Sequence, residues 1–172
     1  CSEAIRLGRV LAHLLERNEA SRADGALQGE ALGLLALMLL HDARRAARVD
    51  AVGEMVTLED QDRRLWNQAQ IEEGLAILEE ALARGRPGGY QIQAAIAALH
   101  ASARRAQETD WAQIALLYGE LRRHTPAPVV ALNQAVAVAM AEGPLQGLAI
   151  LEQLADDGQL ADYYLFLSLI HI

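Results

Sequence analysis

The chain has 172 residues, is 52% hydrophobic but only 4% aromatic, and carries a formal charge of -8. That length holds one substantial core, or a domain with an extension, and an Ala/Leu-rich blend favours packed helices over sheets. The negative charge is spread over helix faces with no basic stripe to track phosphates, which argues against nucleic-acid binding by this segment and suits a protein partner.

In chain order, EAIRLGRVLAHLLER (3–17) places Ile5, Leu7, Val10, Leu11, Leu14 and Leu15 on a broad apolar face at helical spacing. The polar stretch NEASRADGALQGE breaks the pattern, and a second helix is predicted from about Glu30 to Arg48. Its first half is apolar nearly all round and should be buried, and its basic end complements the negative pole of the helix. Residues 49–60, VDAVGEMVTLED, alternate roughly around Gly53 and suggest a small hairpin or extended excursion. DQDRRLW follows as a charged linker, then a helix from about Asn67 to Arg84 that stops at GRPGG. Further helices are predicted at Tyr90–Ala103, Asp110–His124, Pro128–Glu142 and Pro144–Ala155, with a final pattern from Ala161. Asp110 and the prolines supply start signals.

The hexapeptide GLAILE occurs at 74–79 and again at 147–152. Matching LAILEEALARGRP (75–87) to IALLYGELRRHTP (114–126) gives an offset of 39 residues, and a further 34 brings Ile114 onto Leu148. The alternate helices match when Ile92 is set on Leu132, which aligns Ala95, Ala97 and Ala101 with Ala135, Ala137 and Ala141. Small residues there let helices approach closely, while the Leu/Ile stripe supplies buried area. A two-helix unit of this period points to an all-α fold of helical hairpins stacked as a tetratricopeptide-like solenoid, with GLAILE on its inner helix. The division expected is 1–66 as an N-terminal helical part with the extended excursion, 67–166 as repeats, and 167–172 as a suspect tail.

Cys1 alone makes no internal disulfide, which suits a reducing cytosol. No signal peptide is visible, and the longest apolar run, ALGLLALMLL (31–40), is too short to span a bilayer, so a soluble cytoplasmic protein is expected. The chain opens at Cys1 directly in a helical pattern, as a fragment would. All 15 basic residues are arginine, as codon bias in a GC-rich genome produces.

His13, His41, His100, His124 and His171 never fall in an HxxxH pattern, and no metal or cofactor is implied. No phosphate-cradling glycine loop or GxSxG elbow occurs. Glu59, Asp60 and Asp62 could serve as an acid and base, but Arg63 and Arg64 beside them favour a salt-bridged turn or a docking surface. Trp66 and Trp111 sit at helix starts, where a wedge between hairpins is expected. Nothing in the motifs requires an enzyme.

Six blocks, EAIRLGRVLA (3–12), GLLALMLLHDARRAAR (33–48), LEDQDRRLW (58–66), YQIQAAIAALHA (90–101), TDWAQIALLYGEL (109–121) and PAPVVALNQAVAVAMAEGPLQGLAILEQL (126–154), carry a resemblance. Together they resemble the long C-terminal extension of a group of bacterial extracytoplasmic-function (ECF) sigma factors of the sigma-70 family. The resemblance implies a tetratricopeptide-like regulatory domain in transcription initiation. Its implied partners are the sigma DNA-binding regions, the RNA polymerase core and a small YCII-related protein. Neither the promoter-recognising nor the promoter-melting region lies within residues 1–172, so direct nucleic-acid binding is not expected. The ending LFLSLIHI departs from the family's charged helix and resembles translated sequencing-adapter read-through.

Two interaction surfaces follow. A polar ridge of Arg44, Arg45, Arg48, Asp60, Asp62, Arg63 and Trp66 reads as a docking edge towards sigma or polymerase. The alternative is a stand-alone peptide-binding repeat whose concave face includes Gln91, Asn133 and Gln134.

Overall fold

The computed structural model describes residues 2–17 and 25–156. Among them the chain is all-α, with seven helices and no strand: α1 (Ser2–Arg17), α2 (Ala26–Asp42), α3 (Gln68–Leu82), α4 (Gly89–Ser102), α5 (Trp111–His124), α6 (Pro128–Glu142) and α7 (Pro144–Asp156). Short 3-10 turns occupy Arg45–Ala47, Arg63–Leu65 and Ala106–Glu108. The helical pattern expected from Ala161 and the tail at 167–172 lie outside the described residues.

Two helix starts use a capping side chain. Asn67 Oδ1 accepts from Gln70 N at 3.1 Å and Asp110 Oδ1 from Gln113 N at 2.9 Å, so each satisfies a first-turn amide. Pro128 opens α6, and Gly143 closes it at φ 114°, a backbone conformation that favours glycine. α4 has no capping side chain of its own. Glu30 of α2 supplies one across the fold: Tyr90 N and Gln91 N donate to its carboxylate at 2.9 and 3.1 Å.

The described residues form two compact units that divide between Thr109 and Asp110. α2 and α3, on either side of residue 66, pack on each other. In the first unit α2 is the hub. Its apolar run buries Leu32, Leu35, Ala36, Leu39 and Leu40, and α1, α3 and α4 all pack on it. α3 and α4 touch each other far less than each touches α2. α2 and α4 approach closely at Gly33, where an added Cβ would sit 2.7 Å from Gln91 N and 2.9 Å from Gln91 Cα. In the second unit α6 is central, with α5 and α7 each packed against it.

The two GLAILE copies do the same job. A Cβ on Gly74 would lie 3.0 Å from Leu40 Cγ, and one on Gly147 would lie 2.6 Å from Ala139 Cβ, so each glycine is a crossing point with another helix. Inward positions then recur at equal spacing: Gly74, Leu78, Ala81 in α3; Ile114, Tyr118, Leu121 in α5; Gly147, Leu151, Leu154 in α7. This aligns Ile114 with Gly74 rather than Leu75 and makes the first offset 40 residues, equal to the Ile92-to-Leu132 offset of the alternate helices. One residue is about 100° of helix rotation, so letter matching alone selects the wrong face. Burial also reverses the expected roles. α4 and α6 are apolar nearly all round and bury more residues, whereas the GLAILE helices α3 and α7 are amphipathic and bury one edge.

The excursion near 49–60 is a hairpin-like loop without a strand. Val49 and Met55 form a single antiparallel bridge, and Val56 N donates to Arg48 O at 2.9 Å. Asp50 Oδ1 accepts from Val52 N at 2.8 Å and Glu54 N at 2.9 Å, which fixes the turn.

Candidate functional site

The predicted helix over 30–48 ends early. Asn67 N donates to Ala43 O at 2.9 Å, which takes the first carbonyl beyond α2, and Arg45–Ala47 tighten into a 3-10 turn. This junction brings residues 41–48 against 63–66. Trp66, expected both as a wedge between hairpins and as a member of the polar ridge, is 4% exposed and shares a core with Ala43, Ala47, Ile71 and Ala97, so it does not belong to the surface of the ridge. The physical reason is its large apolar ring, which the 3-10 turn at Arg63–Leu65 carries inward, leaving the arginines outside.

Around that indole the guanidinium groups take defined places. Arg63 Cζ lies 4.4 Å and Arg44 Cζ 5.9 Å from the ring centroid, both within cation-π range. Arg63 Nη1 donates to His100 O and Ala103 O, each at 2.7 Å, and so closes the end of α4. Arg48 Nη2 donates to His41 O at 2.6 Å at the end of α2. Arg44 Nη2 lies 3.2 Å from His41 Nδ1. A guanidinium only donates, so His41 Nδ1 accepts and the imidazole is neutral with its proton on Nε2.

Two neighbouring arginines are neutralised locally: Arg45 pairs with Asp42 at 2.6 Å and Arg64 with Asp62 at 2.8 Å. Among the described residues Arg44, Arg48 and Arg63 make no ion pair with a carboxylate. Their fields are felt nearby. Burial, with the charges of Arg44 and Arg48, pushes the His41 pKa down to about 4; burial, with Arg44 and Arg63, does the same to His100. Burial and the charges of Arg48 and Arg63 lower Arg44 itself to about 10. A cleft of about 310 Å³ opens beside Arg63 and Trp66, and another of about 210 Å³ beside His41 and Arg48.

The structure thus gathers Arg44, Arg48, Arg63 and Trp66, with Arg45 and Asp62 at the margin. Asp60 is used locally, accepting from Thr57 Oγ1 at 2.7 Å, and Glu59 is exposed. Of the residues of the second predicted surface, one is buried. Gln91 is 1% exposed, with its side-chain amide donating to Glu30 Oε1 and Arg86 O, each at 3.2 Å. It is a structural residue at the α2–α4 crossing and offers nothing to a ligand. Asn133 is exposed on α6, and Gln134 accepts from Arg122 Nη1 at 2.9 Å beside a cleft of about 440 Å³ within the second unit.

Sequence reasoning missed His41 and His100 as members of the arginine cluster, although HDARRAAR places His41 one turn before Arg44 and Arg45. It also misassigned α1. That helix buries Ile5, Gly8 and Ala12, while Leu7, Val10, Leu11 and Leu14 are 45% to 59% exposed. The signal available was the pair Gly8 and Ala12, four residues apart, which marks a close-packing face. His13 and His124 lie 3.8 and 3.7 Å from Glu16 and Glu120, and His171 lies outside the described residues. Among the described residues no cluster of His, Cys, Asp and Glu could hold a metal ion, and no helix is long and apolar enough to cross a membrane.

No solved structure matched this chain. The chain is 49% identical over 166 residues to the uncharacterized protein R00370 of Rhizobium meliloti (strain 1021), covering 96% of this chain and 36% of that protein. It therefore spans about a third of the length of the curated relative it matches. Residues 1–82, which hold α1, α2, α3 and the whole arginine junction except the end of α4, match the family model described as "Family of unknown function (DUF6596)".

Proposed function

We propose that this chain is a regulatory, protein-interacting module of a longer transcription initiation factor of the extracytoplasmic-function sigma class. It is built as a tetratricopeptide-like helical repeat and acts in the cytoplasm, through the sigma DNA-binding regions, RNA polymerase or a small YCII-related partner. The observation that carries this reading is the outward stripe of α1. Leu7, Val10, Leu11 and Leu14 are spaced three and four residues apart on one face and are all exposed. A contiguous apolar stripe of this kind marks a protein contact. The equal spacing of inward positions in α3, α5 and α7 supports the repeat architecture, and the greater length of the Rhizobium relative supports a module within a larger polypeptide.

The test is the Leu7→Glu, Leu14→Glu variant of the full-length protein, assayed with purified RNA polymerase on a cognate promoter. Promoter output should change at least about threefold, because two charges are placed in an apolar contact. Unchanged output from a variant with native helicity overturns the reading. The cleft lined by Arg122, Ala131 and Gln134 favours a second reading, a stand-alone peptide-binding module. Retention of a separate peptide by the 172-residue chain, lost on Gln134→Ala, separates it from the first.

A further inference from the structure

The junction of α2 and α4 has a surplus of donors and positive charge. Five arginines fall within residues 44–64, and the structure sorts them: Arg45 and Arg64 are paired with Asp42 and Asp62, whereas the hydrogen bonds of Arg44, Arg48 and Arg63 go to neutral groups, and the one carboxylate felt among these three is Glu108, at Arg63. Each of the three is half-buried and spends a single terminal nitrogen on protein acceptors or on His41, leaving its other N–H groups without an acceptor among the described residues. The indole Nε1 of Trp66, buried between them and the core, also lacks an acceptor. Buried or half-buried charges are ordinarily paired, and in a chain of charge -8 carboxylates are not scarce. The local carboxylates are nevertheless directed to other arginines.

We propose that Arg44, Arg48 and Arg63 form a receiving site for a carboxylate side chain from an acidic segment of a partner protein. Arginine suits this role because its planar fork binds a carboxylate through two parallel hydrogen bonds, and the Trp66 ring holds Arg63 and Arg44 in place. A protein ligand fits better than a nucleic acid. The cluster is bordered by Asp42 and Asp62, and these acids would repel the repeated charges of a phosphate backbone more than a single carboxylate. Burial and then the charges of Arg48 and Arg63 lower Arg44, and an incoming carboxylate would relieve the repulsive part. This site lies apart from the α1 stripe, so it stands or falls separately from the proposal above.

The experiment titrates the 172-residue chain with a blocked hexaglutamate peptide, reading heat by calorimetry and the arginine Nε–Hε resonances by NMR. Salt-dependent binding that shifts the Arg44, Arg48 and Arg63 resonances is expected. Arg44→Gln with Arg48→Gln should weaken it about tenfold, and Arg45→Gln should leave it within about twofold. The NMR shifts on the native chain keep the test decisive if the double variant loses helicity. No binding, or equal loss in Arg45→Gln, overturns the proposal. Tighter binding of hexathymidylate at the same resonances also overturns it, in favour of nucleic acid.

Discussion

Alanine at Gly33 and at Gly119 should have opposite effects on stability, although both glycines lie inside helices, α2 and α5. Replacing a mid-helix glycine by alanine gains about 1 kcal/mol from backbone entropy. At Gly33 the new methyl would lie 2.7 Å from Gln91 N and 2.9 Å from Gln91 Cα, against an ordinary contact of about 3.5 to 4 Å. The obstacle is backbone, which cannot rotate away, so α2 and α4 must separate and the Glu30 cap of α4 must stretch. Overpacking of this kind costs about 1–3 kcal/mol, and a rigid neighbour with a strained cap takes it to or beyond the upper end. The net expectation for Gly33→Ala is a loss of about 2 kcal/mol. At Gly119 the nearest atom is Gln134 Nε2, 3.2 Å away at the end of a flexible side chain. Gly119→Ala should therefore stabilise by about 0.5–1 kcal/mol. Urea denaturation measures both: Trp66 fluorescence in a Trp111→Phe background follows the first unit, and circular dichroism follows total helicity. For Gly33→Ala the Trp66 midpoint should fall by about 1 M. A midpoint at or above that of the parent would refute the close-approach argument.

Two further outcomes follow from the arginine junction. Trp66→Ala should cost about 3–5 kcal/mol in the same urea assay, as expected for a buried ring, whereas a loss below about 0.5 kcal/mol would return the residue to the surface. Stability should fall as pH drops from about 6.5 to about 4, because the unfolded state takes protons on His41 and His100 that the folded state refuses until about pH 4. The contribution is fully present above the unfolded pKa and amounts to about 1–2 kcal/mol per histidine between pH 7 and 5, discounted for partial exposure. His41→Gln with His100→Gln should flatten that window, and an unchanged slope would refute the assignment.

Helix positions were legible because the punctuation is local. Asn67, Asp110, Pro128 and the Gly143–Pro144 pair each act on amides or dihedrals within a few residues, so a reader of the sequence needs no tertiary information. The site was legible only in part. DQDRRLW shows five polar or charged residues before its Leu-Trp end; a wedge could be expected of the tryptophan, but nothing local reveals that Arg63 reaches carbonyls 37 and 40 residues away. Gln91 misled for the same reason. A polar letter at a helix start suggests an exposed face, yet a buried amide is tolerated where Glu30, 61 residues earlier, accepts its hydrogen bonds.

The same physics governs both the core and the exposed apolar surface. A helix that packs through glycine and alanine brings its backbone close to its neighbour, and the larger side chains flanking that narrow face cannot fit into the gap. On α1, Gly8 and Ala12 are buried and Leu7 and Leu11, each one residue before them, point outward. On α7, Gly147 meets Ala139 and Leu148 is left exposed. In α3 the same GLAILE string leaves Leu75 half-buried, so the letters do not decide the outcome; the set of helices packed around them does. The exposed Leu7, Leu11 and Leu148 are therefore a geometric consequence of close helix crossings. Of the exposed leucines on α1, α3 and α7, those of α1 form a stripe two turns long, which is why the docking proposal rests on that helix.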